Sequence, residues 1–127
     1  MPLPARISRN LPQPQKRQRD GMDRNHVANV GDCPCCVCGT VSGVHAHHLL
    51  RSGERGMALK SPDKYCIPLC ALHHQELHDA GDEDGYLARR DIDGRALAAA
   101  LWAERGNLEG MIRVTLRCLQ NARLKRA

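Results

Sequence analysis

With 127 residues, a formal net charge of +5, no Phe and only 2% aromatics, the chain has room for one small domain with arms, and too little bulk for a core without a staple. Seven Cys and seven His offer that staple, and an odd Cys count mixed with His suits metal better than a secreted disulfide framework. No apolar run approaches the about 20 residues of a membrane span, and no apolar stretch follows the charged N-terminus as a secretory signal requires, so a cytoplasmic protein without a membrane segment is expected.

Charge is unevenly spread. Residues 1–24 hold six bases and two acids, residues 113–127 five bases and no acid, and the middle eight bases and twelve acids. Basic ends on a mildly acidic centre suit a polyanion such as DNA, or a solvated tail. Pro2, Pro4, Pro12 and Pro14 among Gln and Arg make residues 1–24 read as a disordered basic arm. The domain is expected over 25–106, with structure beginning near His26.

Asp32-Cys-Pro-Cys-Cys-Val-Cys-Gly39 reads as a tight Cys-rich turn leading into Thr40–His48, a two-stranded hairpin. Arg51–Asp63, with its Gly, Pro and basic residues, reads as an exposed loop. Tyr65–Leu69 reads as a short strand that Pro68 confines to an edge or an end. Ala71–Ala80 reads as a helix stopped by Gly81, and Gly81–Gly85 as an acidic turn without the calcium-loop pattern. Arg95–Arg105, rich in Ala and Leu, is a helix. Asn107 caps a last basic helix over 107–127, with Leu108, Ile112, Leu116 and Leu119 on one stripe. The whole is a small α+β fold.

Cys35-x-x-Cys38-Gly39 is a zinc knuckle: two thiolates grip one tetrahedral ion and Gly lets the backbone turn. Cys70-x-x-His73 completes a Cys₃His structural set. Cys33-x-x-Cys36 has the same spacing, so the registry stays open. Cys66 and Cys118 read as small core residues. A second cluster comprises His47, His48, His74 and His78. His74 and His78 lie four apart on one helical face and can share a metal, while His73 points elsewhere. His26 and His45 stand outside both sets. A site with three His ligands keeps positions open, polarises a phosphoryl oxygen and stabilises a leaving alkoxide. A neighbouring His not on the metal can act as general base. The bases Arg51, Arg55, Lys60 and Lys64 follow, and beside a His metal site they read as phosphate contacts in preference to a merely solvated loop.

The run Cys35-x-x-Cys38-Gly39, Ala46-His47-His48-Leu49 and Pro68-Leu69-Cys70-x-x-His73-His74-x-x-x-His78 resembles the HNH endonucleases. More closely it resembles prophage and bacterial HNH proteins related to the phage RecA-dependent nuclease Ref. Gly81-Asp82-Glu83 and Ala100-Leu101-Trp102 fit the same group, and the resemblance covers residues 26–104. It implies a ββα-metal core with a structural zinc knuckle and extra C-terminal helices. It also implies metal-assisted hydrolysis of DNA phosphodiesters. His47, His74 and His78 would hold the catalytic ion (Mg²⁺, Mn²⁺, Ni²⁺ or Zn²⁺), His48 would be the base, and Cys35, Cys38, Cys70 and His73 would hold zinc. The central Asn of the HNH pattern has no clear match. Tyr65 falls near its place, with Asp63 and Lys64 adjacent, which makes Asp63 and Tyr65 the candidate braces. The expected partners are DNA and, by analogy, a RecA filament, with the chain a monomer or a dimer. The rival reading is a zinc-stabilised binding module without catalysis.

Overall fold

The computed structural model describes residues 21–49 and 62–126. Residues 1–20, most of the basic arm, lie outside them, as do residues 50–61, including Arg51, Arg55 and Lys60.

Asp23 is extended, and its carboxylate accepts the backbone N–H groups of Asn25 and His26. This caps helix α1 (Arg24–Gly31). The sequence pattern does not announce this helix, because it buries His26 and Val30 without a longer stripe. The ordered fold also begins before residue 25. The Lys64 N–H donates to the Gly21 carbonyl at 2.9 Å, and the Asp23 N–H donates to the Asp63 carboxylate at 2.8 Å. The last residues assigned to the arm are therefore stitched to a segment far along the chain.

Strand β1 (Val44–His48) pairs antiparallel with β2 (Cys66–Cys70), Val44 opposite Cys70 and His48 opposite Cys66. This corrects the local hairpin expected within 32–48: the β-branched run finds its partner across the long loop. A 3-10 turn at Asp63–Tyr65 leads into β2, and the Leu49 N–H extends the ladder to the Tyr65 carbonyl at 2.8 Å. Pro68 sits mid-strand opposite Ala46. It is tolerated because a two-stranded sheet has only edges, and its carbonyl turns outward to accept the Cys36 N–H at 3.0 Å.

Helix α2 (Ala71–Ala80) follows β2 without a break and has the bounds the sequence predicts. Gly81 ends it at φ +69°, a left-handed conformation that glycine takes without Cβ strain. The acidic turn is the start of α3 (Glu83–Ala88), capped by Asp82 through the Gly85 N–H. Helix α4 (Gly94–Ala103) is capped by Asp93, and α5 (Leu108–Arg126) by Asn107 through the Gly110 N–H. The apolar stripe of α5 is rotated from the expected one. Met111, Thr115, Leu119 and Ala122 face inward, whereas Leu116 is 49% exposed. Thr115 satisfies its hydroxyl on the Met111 carbonyl at 3.0 Å, which lets a polar residue occupy the buried line. Helix α5 thus shares the core of Ile67, Leu69, Leu87, Leu97, Leu101 and Met111 instead of standing apart. None of the helices of the described residues is long and apolar enough to cross a membrane.

His26 is buried at 1% exposure, with no hydrogen-bond partner for either ring nitrogen among the described residues. Its ring meets Trp102 edge-on at 4.9 Å. Burial pushes its pKa below 6.5 and Arg105 adds to this, against Asp23 and Asp63. Below about pH 6.5 the unfolded chain therefore binds a proton that the folded chain resists, and stability falls as pH drops. The melting temperature is expected to be lower at pH 5 than at pH 7, and His26→Leu should flatten that drop. His74 is shifted in the same sense, so part of the slope remains. An identical drop in both proteins would assign it to other groups.

Candidate metal centre and its neighbouring histidines

The ligand atoms of Cys35, Cys38, Cys70 and His73 all lie within 4.8 Å of one another. The Cys38 and Cys70 sulfurs are 3.9 Å apart, and His73 Nδ1 is 3.1 Å from Cys70 Sγ and 3.8 Å from Cys35 Sγ. Zinc–thiolate bonds of about 2.3 Å in a tetrahedron place sulfurs about 3.8 Å apart, so the donor set fits zinc in both chemistry and spacing. The knuckle is held by the Val37 N–H on Cys35 Sγ at 3.4 Å, and by the Gly39 N–H on the Cys35 carbonyl at 2.8 Å, with Gly39 at φ +81°. Cys70 closes β2 and His73 lies in the first turn of α2. One ion there would tie the knuckle, the sheet and the helix together.

Protonation points the same way. Burial works to raise the Cys35 thiol, but hydrogen bonds from the backbone of Cys70, Cys38 and Val37 outweigh it and hold the thiol below its ordinary range. Cys38, although exposed, is pushed up by partial desolvation of its sulfur and by Cys35 beside it. A thiolate at Cys35 that raises the thiol beside it is a repulsion that a shared cation would relieve.

The alternative registry is closed by packing. Cys33 is buried, donates to the Asn29 carbonyl at 3.4 Å and is pushed up to about 11 by burial. Cys36 is fully buried and raised well above its ordinary value. Both are neutral core thiols, as is Cys66, pushed up to about 12 by burial. Cys118 is half-buried against the core.

The other histidines lie on the far part of the same sheet and helix. His47, near the end of β1, is buried, and its ring meets His74 of α2 at 5.0 Å between centroids. His74 in turn meets His78 at 5.0 Å. The structure thus brings His47, His74 and His78 into one line of ring contacts. Their nitrogens are not gathered as those of the Cys₃His set are, which alone among the described residues forms such a group. The donor chemistry suits a divalent ion: His74 is held below 6.5 by burial and by its His neighbours, and so offers a lone pair at neutral pH. His45 is exposed.

His48 is half-exposed, and its Nε2 lies 2.9 Å from Asp63 Oδ1. The other Asp63 oxygen accepts the Asp23 N–H at 2.8 Å. Of the two candidate braces, Asp63 is the one placed on His48. Tyr65 packs against the core, with Lys64 Nζ 5.2 Å from its ring centroid. Sequence reasoning missed Glu83, which is buried with Oε1 only 2.6 Å from His47 Nε2. Its signal was a carboxylate five residues beyond His78, in a turn read only as acidic and without the calcium-loop pattern.

No solved structure matches the chain. A curated relative, the uncharacterised protein YdfU of Escherichia coli (strain K12), is 37% identical over 87 residues, which are 67% of this chain and 25% of the relative. The chain therefore spans about a quarter of that protein's length. The family model described as "Protein of unknown function (DUF968)" matches residues 10–86, more than half of the sequence, and the chain belongs to that family.

Proposed function

We propose that this protein is a metal-dependent HNH endonuclease that hydrolyses DNA phosphodiester bonds in phage- or prophage-related DNA processing or recombination. One observation carries the reading. Two adjacent histidines end β1, β2 returns antiparallel, and α2 then sets His74 against the first of them, with His78 one turn on against His74. That β-β-α order, with His pairs at these places, is the arrangement an HNH site needs.

The three imidazoles of His47, His74 and His78 would hold the catalytic ion, which when bound supplies Lewis-acid stabilisation of charge on the phosphoryl group and the departing 3′ oxygen. His48 is the base. With its Nε2–H donated to Asp63, the ring keeps its lone pair on Nδ1, free to take a proton from water. Asp63 holds that tautomer and is itself pinned by the Asp23 N–H. Lys64, beside the brace, is the phosphate contact among the described residues, with Arg51, Arg55 and Lys60 proposed from the preceding loop.

The test is plasmid cleavage by purified protein loaded with one equivalent of zinc, without further metal or with added Mg²⁺, Mn²⁺, Ni²⁺ or Zn²⁺, with and without RecA filaments. Metal-dependent nicking is expected. DNA retained but uncut in every condition would replace the nuclease with a zinc-stabilised binding or filament-interacting module.

A further inference from the structure

Glu83 opens α3 and is only 9% exposed, yet it carries a carboxylate. Burying an ionised carboxylate is costly unless a donor meets it. Here His47 Nε2 meets it at 2.6 Å, and the His47 side chain is itself 6% exposed. An Nε2–H donated to a carboxylate fixes a neutral imidazole in one tautomer and leaves Nδ1 as its coordinating nitrogen. It also makes that nitrogen more basic. Next along the strand, His48 bonds Asp63 through the same ring atom. Each of the two adjacent histidines thus has its own carboxylate, drawn from a different element. Asp63 comes from the 3-10 turn before β2, and Glu83 from the first turn of α3 beyond the His helix.

We propose that Glu83 is a positioning residue for the three-histidine metal site: it accepts the Nε2–H of His47, fixes the tautomer that offers Nδ1 to the ion, and supplies a negative charge that strengthens binding of a divalent cation. This rests on the reading of His47, His74 and His78 as ligands. It also assigns a purpose to α3, whose cap at Asp82 delivers Glu83 to the end of β1.

Two measurements test it on the full chain loaded with one equivalent of zinc, both independent of cleavage. Long-range ¹H–¹⁵N spectra of the imidazoles should show His47 protonated on Nε2 before any second metal is added, and a mixture of tautomers in Glu83→Ala. Calorimetric titration with Ni²⁺ should show affinity for the second site weakened about 10–100-fold in Glu83→Ala. Glu83→Gln keeps an acceptor in the same place and guards against a folding defect, so its loss should be clearly smaller. The inference is overturned if wild-type His47 carries its proton on Nδ1, or if Glu83→Ala binds Ni²⁺ as wild type does. It is also overturned if Glu83→Gln loses as much as Glu83→Ala, which would make the carboxylate a direct ligand. Retention of Ni²⁺ binding by His47→Ala would instead overturn the three-histidine reading beneath it, whatever the tautomer.

Discussion

Cys70→Ser is expected to unfold the domain. Cys70 is the last residue of β2 and the cap position of α2, only 6% exposed. Its sulfur stands 3.9 Å from Cys38 and 3.1 Å from His73 Nδ1. Serine has nearly the same volume, so packing alone loses little; what disappears is an ionisable soft ligand. Cys₃His-type sites contribute about 10–16 kcal/mol of apparent zinc-binding energy to folding, against a net stability of about 5–15 kcal/mol for ordinary domains. The apolar core offers little reserve, because its buried side chains are mostly Leu, Ile, Val, Ala and Met, with Tyr86 the one buried ring of Phe size among the described residues. The variant should bind less than one equivalent of zinc and lose its cooperative thermal transition, and EDTA should do the same to the wild type. Cys118→Ser, outside the cluster, should keep the metal and melt within about 1–2 kcal/mol of wild type. A Cys70→Ser protein that melts like wild type would show that the cluster is not a structural metal site.

Legibility from sequence followed the physics of each segment. The zinc set was readable because CxxC and CxxH spacings are local and chemically narrow, and the structure decides their registry by burying Cys33 and Cys36. Helix α2 was readable to its ends because Gly81 is an unambiguous stop. Helix α1 was not, since its stability comes from the Asp23 cap and from tertiary contact rather than from a periodic stripe. The partner of β1 was misread for a related reason: a five-residue strand does not encode which distant strand it meets. The rotation of α5 was hidden by Thr115, a polar residue on the buried line whose hydroxyl bonds within its own helix. Glu83 was hidden because an acidic turn looks solvated in sequence, and only the fold brings it to His47. The two carboxylate–histidine pairs join residues 36 and 15 positions apart, too far for any spacing rule to link them.

The second large effect is expected at His48. If this ring is the base, His48→Ala should lower the rate of plasmid nicking by about 10²–10⁴-fold, the usual contribution of a positioned general base. Zinc content and melting should stay close to wild type, because His48 is half-exposed and is not one of the zinc set. The brace sharpens the test. Asp63→Asn retains an oxygen that can accept the Asp23 N–H, so the link between α1 and the 3-10 turn survives. It replaces the charged acceptor facing His48 Nε2 with a neutral amide, which weakens the hold on one tautomer without removing the ring. Its rate should therefore fall between wild type and His48→Ala, with DNA affinity unchanged. The double variant should be no slower than His48→Ala alone, since Asp63 acts through the ring that is already gone. If Asp63→Asn slowed nicking further in a His48→Ala background, Asp63 would be acting on the substrate or the metal directly. If His48→Ala cut at the wild-type rate, the proton would be going elsewhere and the base would have to be sought outside this strand.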